Sequence, residues 1–298
     1  MGICDTQEPR DAKVHCVDDF SFQAQLAMFA AVAAQSSVTV AASLAALLAY
    51  ATAVLHSERT AAAFRWALLA GWLAHGLAIV LDTSGVGTGQ IGARFGFAPA
   101  LSATLWLVLA VYGVESRFVP LPGVRRSLAL LGITAVALAV FFPGEVRPHA
   151  GSPWMPVHWV LGIASYGLFG AAVLHAAMLT GAEREMRGLK GGVAPAPLGL
   201  PLLRLEKLTF RFVAAGFVVL SAALVLGWWF ASPWRWDHKA IFSVLAWCVF
   251  AGLLGGRRVF GWRGRMATRW LYTGAVLLLL AYVGSRFVLE VVLARTTP

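Results

Sequence analysis

The chain has 298 residues, 59% of them hydrophobic and 13% charged, with a mean hydropathy of +0.74 and a formal net charge of +10. A soluble domain carries about a quarter charged residues, so this composition excludes one and specifies an integral membrane protein. Its apolar runs are continuous and rich in Ala, Leu and Val, which excludes a membrane barrel, whose strands alternate polar and apolar residues over about ten positions.

Residues 1–35 read as an N-terminal tail, acidic at Asp5, Glu8, Asp11, Asp18 and Asp19 before an alanine-rich run. The tail lacks the basic start of a secretory signal and reads either as an interfacial helix, as a disordered segment, or as sequence upstream of the true start. Residues 36–298 read as a single membrane domain. Stretches of the ~20 residues that a helix needs to cross a bilayer fall at 36–55, 63–83, 97–116, 125–142, 156–180, 208–230, 239–255 and 268–289. The expected fold is all-α, a polytopic bundle of eight spans joined mostly by short links, which favour antiparallel neighbours.

The link 84–96 contains a GxGxxG string. It follows a membrane helix where a dinucleotide fold needs a strand, so its glycines are expected to serve a close-packed turn. The link 181–207, "GAEREMRGLKGGVAPAPLGLPLLRLEK", holds glycines and prolines expected to break any helix, and reads as a hinge or a partner-facing loop. No internal repeat is evident, and Cys4, Cys16 and Cys248 form no CxxC or metal-ligand spacing.

Sixteen of the 24 Lys and Arg lie in the links after spans one, three, five and seven, whereas those after spans two, four and six hold Arg94, Arg147, Arg235 and Lys239. By the positive-inside rule the first set faces the cytoplasm. Both termini and the segment "GWWFASPWRWDHK", residues 227–239, are then expected on the outer side of a plasma membrane.

That segment gathers Trp228, Trp229, Trp234 and Trp236 beside Arg235, Asp237, His238 and Lys239. One reading is the aromatic belt that anchors membrane helices at headgroup level. The other starts from helix geometry: Trp228 and Trp229 point about 100° apart, so one ring at least is expected to line the bundle, where it invites a flat ligand. Haem fits that mixture, with indoles over its faces, Arg235 or Lys239 against its carboxylates and a histidine on its iron. Asp237 also reads as a helix N-cap.

Four of the seven histidines, His75, His149, His158 and His238, approach the outer half, while His56 and His175 fall toward the cytoplasmic side. His75 lies ~10 Å below the outer edge at 1.5 Å per residue. It reads either as an interhelical hydrogen-bonding group or as a functional intramembrane residue. His158 begins a span, and His238 reads as a solvated loop residue or a ligand. Arg286 either snorkels to headgroups or meets a haem propionate. No catalytic triad, carboxylate pair or phosphate loop in a fitting context appears, which argues against a hydrolase or kinase; a transporter would show interrupted helix pairs and inverted repeats.

Residues 205–288, with the tryptophan segment at their centre, resemble the core of the cytochrome c assembly family, membrane haem-handling proteins with a WWD domain. The stretch "HWVLGIASYGLF", 158–169, is similar to that family's histidine and Ser-Tyr helix. The HemX-like and YpjD-like branch fits best. The resemblance implies haem held at the outer face for delivery to apocytochrome c, with other assembly components as partners and no nucleic acid. By it Trp228, Trp229, Trp234, Trp236 and Asp237 match the platform, and His158 matches the first outward axial histidine. His75 is the second candidate metal ligand, with His238 and Arg235 as further contacts.

Several positions depart from the family pattern: His238 and Ala240 replace the Pro and Glu of Trp-Asp-Pro-Lys-Glu, Gly255 stands where a histidine is usual, and "GSRFVLEVV" lacks the second outward histidine. The function expected is haem binding or delivery rather than a reaction of the chain's own. The alternative is a haem-independent scaffold or regulator that meets a protein partner at 181–207 or 257–269.

Overall fold

The computed structural model describes residues 35–55, 61–86, 93–116, 122–147, 154–188, 202–230 and 236–292. Over these the chain forms eight helices long and apolar enough to cross a bilayer. They are α1 (Ser37–Leu55), α2 (Ala61–Ser84), α3 (Phe97–Glu115), α4 (Pro122–Phe141), α5 (Met155–Gly188), α6 (Leu202–Phe230), α7 (His238–Phe260) and α8 (Gly264–Leu279). The helical bundle read from the sequence is the one observed. Helices suit this composition because each satisfies its own backbone N–H and C=O groups, for which hydrocarbon offers no partner.

The broadest packing joins α1 to α2, α5 to α6 and α7 to α8, with α4 on α1 and α3 connecting the first helices to α5. Among the described residues two large buried cores result, with a small third of Ala53, Phe64 and Ala129. In the first, Tyr50 of α1 is fully buried among Val108, Leu109, Leu128 and Val136. A Cβ on Gly71 or Gly132 would lie 2.7 and 2.9 Å from the Tyr50 ring, so these two glycines open the slot it fills. The second core joins α5 to α8 and centres on Phe169 and Phe250, whose rings stack at 3.8 Å. The Tyr166 hydroxyl donates to the Leu278 carbonyl and ties α5 to α8.

Two features differ from expectation. The link 181–207 is shorter than the sequence suggests, because α5 runs on to Gly188 and α6 starts at Leu202. Good helix formers, Glu183 to Arg187 and Leu202 to Lys207, carry the helices past the membrane edge, and the Gly and Pro breakers cluster between them at 191–201. Secondly, the links after α2 and α4 contribute an antiparallel ribbon, β1 (Ala93–Phe95) with β2 (Glu145–Arg147), in the register Arg94 opposite Val146.

A two-stranded ribbon is marginal alone, and buried charges fasten this one. Arg94 meets Asp82 of α2 at 3.6 Å, and Arg286 of the last span reaches Glu145 at 3.4 Å. Gly144 before β2 has φ 73°, and a Cβ there would lie 2.5 Å from the Phe95 carbonyl oxygen, so only glycine fits. Beyond Leu279 the last span continues through π turns at Leu280–Gly284 and Val288–Val292 around the α turn Ser285–Phe287. Arg286 sits in that turn, 3% exposed. Buried in this way it does not snorkel to headgroups: its charge faces Glu145 and, at 4.0 Å, Glu290.

The end of the bundle that bears the ribbon also holds the α6–α7 connection; the arginine-rich links lie at the opposite, basic end. The tail 1–34, the GxGxxG string at 87–92 and His149 lie outside the described residues.

Candidate functional site

His158 lies in the first turn of α5, half-buried against α6. Its Nδ1 is 3.0 Å from the Ala223 carbonyl oxygen. A carbonyl only accepts, so the hydrogen of this contact belongs to Nδ1, and the neutral ring then keeps a lone pair on Nε2. Nε2 makes no hydrogen bond with any described residue. One turn beyond Ala223 is Gly227, where a Cβ would stand 3.0 Å from His158 Cε1 and 3.8 Å from Nε2. The imidazole therefore rests on a bare stretch of α6 that ends at Trp228. The next residue, Trp159, packs on Phe95 of β1, ring centroids 4.2 Å apart, so α5 meets α6 through His158 and the ribbon through its neighbour.

Among the described tryptophans of the segment, none lines the bundle. Trp228 and Trp229 are 65% and 77% exposed, and Trp236 is 67% exposed, which corrects the expectation of an inward ring. The 100° between successive residues holds, but both directions fall in an arc of α6 that the other described residues leave uncovered. Trp234 and Arg235 lie outside the described residues. Asp237 is the N-cap of α7, its carboxylate accepting from the Ala240 N–H at 2.9 Å. His238, the first residue of α7, is exposed, and Lys239 sets its ammonium 5.8 Å from the Tyr282 ring centroid.

His75 is held apart from this group. It is 1% exposed between α1 and α3, with Nε2 2.8 Å from Ser102 Oγ and Nδ1 3.3 Å from the Tyr50 hydroxyl. Both ring nitrogens are engaged, as the interhelical hydrogen-bonding reading requires. Among the described residues no three His, Cys, Asp or Glu side chains are grouped to hold a metal. A cavity between α5, α6, α7 and α8 lies at the basic end, lined by Glu206, Phe210 and Leu253, and has room for about one water.

Three groups that shape the site escape a reading of the sequence: the Ala223 carbonyl, Gly227 and Phe95. Only Gly227 left a trace, as the first letter of the tryptophan segment.

Eight apolar helices, a half-buried histidine at a helix start and a tryptophan-bearing connection beside it define a multi-pass membrane protein of a recognisable class. The chain belongs to the family described as "Cytochrome C assembly protein", whose model matches residues 92–293, which takes in β1 and α3 to the end of the last span. It is 31% identical over 196 residues to the inner membrane protein YpjD of Escherichia coli (strain K12), covering 64% of this chain and 73% of that protein. It is also 26% identical over 216 residues to the cytochrome c biogenesis protein CcsA of Synechococcus sp. (strain CC9311), 60% of this chain and 71% of that one. No solved structure matches it.

Proposed function

We propose that this chain serves cytochrome c biogenesis in the inner membrane as a haem-handling protein, with His158 as the protein's ligand to iron. The observation that carries the reading is the His158 hydrogen bond to Ala223, which fixes the tautomer and leaves Nε2 available. Metal-bound histidines are ordinarily oriented in this way, through a second-nitrogen bond to a carbonyl or carboxylate. The donor chemistry thus fits a single protein ligand that would hold the iron of haem. When bound, haem would supply the iron chemistry.

The chain's own residues bind and orient. The Ala223 carbonyl holds the imidazole, Gly227 gives it room, and the exposed rings of Trp228, Trp229 and Trp236 offer apolar faces at the rim. Because those rings stand outward, the ligand would lie on an open flank, accessible to a recipient such as an apocytochrome. The charge asymmetry of the links supports an outward ribbon end. His75 supplies no second ligand without giving up the hydrogen bond at the ligating nitrogen, so His238 is the nearer candidate in sequence, with Trp234 and Arg235 as contacts to the macrocycle rather than to iron.

Purified full-length protein titrated with haemin should develop a Soret band that is abolished in His158→Ala. Protein that takes up no haemin, or a variant that takes it up equally well, would overturn the reading. A second reading, a haem-independent scaffold, draws on the exposure of the indoles, which also suits anchoring at the membrane surface. It predicts that cytochrome c maturation in cells is indifferent to His158→Ala.

A further inference from the structure

Far from His158, a histidine and a glutamate meet inside the bundle. His175 of α5 is 1% exposed, and its Nε2 lies 2.7 Å from Oε2 of Glu115, the last residue of α3. Its Nδ1 lies 2.7 Å from the Ala171 carbonyl oxygen one turn back. That carbonyl can only accept, so Nδ1 carries a hydrogen. A second hydrogen must then lie between Nε2 and Oε2, since at 2.7 Å two bare lone pairs would repel. It belongs either to an imidazolium facing a carboxylate or to a carboxylic acid facing an imidazole. The pair is neutral in both forms and carries one removable proton.

Other buried charge contacts in this chain are built differently. Arg94 with Asp82, Arg257 with Glu206 and Arg286 with Glu145 all use arginine, which keeps its proton in proteins. The α3–α5 contact uses the side chain that exchanges protons near neutrality. Among the described residues no other charged side chain pairs with it. Phe212 of α6 stacks on the imidazole at 5.2 Å, with Arg211 beside it exposed. On α3 Tyr112 bonds Arg125 of α4. Glu206 is taken by Arg257 and Arg263, Glu183 lies two turns further along α5, and Arg269 of α8 is exposed. The side chain of His175 is 2% exposed and that of Glu115 19%, so the carboxylate is the open side of the pair, and it stands at the basic end.

We infer that His175 and Glu115 form an intramembrane proton-binding site loaded from the basic end through Glu115. Its ligand is a single proton taken from water; no electron moves, and release leaves one negative charge on the pair. Carboxylate and histidine pairs within spanning helices serve as proton stations in membrane proteins generally. The site owes nothing to haem and stands or falls without it.

The test is proton uptake of the full chain in lipid nanodiscs, measured by pH-step infrared difference spectra with histidine labelled in 15N and by direct proton counting. Glu115→Gln and His175→Gln each keep a hydrogen-bonding amide in place of one partner. Each variant that retains wild-type helicity should bind one proton fewer per chain, and Glu115→Gln should also remove the histidine ring band from the pH-step spectrum. A folded variant that takes up as many protons as wild type, with an unchanged histidine band, overturns the inference.

Discussion

Three histidines in this bundle differ by what their second nitrogen meets. His75 spends both on Tyr50 and Ser102, His175 spends one on Ala171 and shares the other's proton with Glu115, and His158 keeps Nε2 unengaged by described residues. Only the third arrangement suits a metal ligand without first breaking a bond. Gly227 enforces it, so Gly227→Val should push the imidazole off Ala223 and weaken haemin uptake by about tenfold or more, within the range for residues that orient a metal ligand. The check is a haemin titration with His158 intact. At this scale the sequence spoke unevenly. His158 and Asp237 were readable because a helix start and an N-cap are local features. The bond from His158 to Ala223 joins residues 65 apart, and a single sequence carries no sign of it.

At the scale of elements, α7 begins where the Asp237 carboxylate caps it. Asp237→Ala should lower stability by about 1 kcal/mol, with Asp237→Asn recovering most of it, measured by thermal unfolding in detergent. The last span depends on a costlier contact. Removing one partner of a buried charge cluster leaves the others uncompensated, so Arg286→Leu should destabilise by about 3 kcal/mol or more. Glu145→Gln should cost less, since Glu290 remains near the guanidinium; denaturant melts of both variants decide. The number and placement of the helices were legible because twenty apolar positions leave a membrane chain few alternatives, although α5, α6 and α7 run past their expected ends. The ribbon was not legible: Arg94 to Phe95 and Glu145 to Val146 carry no alternating run, and the three-residue strands are fastened by ion pairs from Arg94 and Glu145 to the distant Asp82 and Arg286. The inward indole was misjudged for a related reason. A residue's direction on a helix is periodic, but which arc of that helix has neighbours is decided by the other seven.

For the molecule as a whole, eight spans and lopsided cationic links make orientation a measurable property. In a background with Cys4, Cys16 and Cys248 replaced by alanine, a membrane-impermeant thiol reagent added to intact cells or spheroplasts should modify Trp236→Cys. Arg258→Cys, exposed at the opposite end, should react only after permeabilisation. Reversed labelling would place the basic end outside and remove the sidedness on which the haem reading relies. The two-stranded ribbon adds a constraint of timing. During synthesis β1 leaves the ribosome ahead of α3, and β2 only after α4. Zipping Ala93 to Arg147 must therefore wait until both intervening helices have been threaded into the lipid with correct polarity. The ribbon is thus a seal closed late in biogenesis, and a chain that inserts α3 or α4 the wrong way round leaves its two strands stranded on opposite sides of the bilayer.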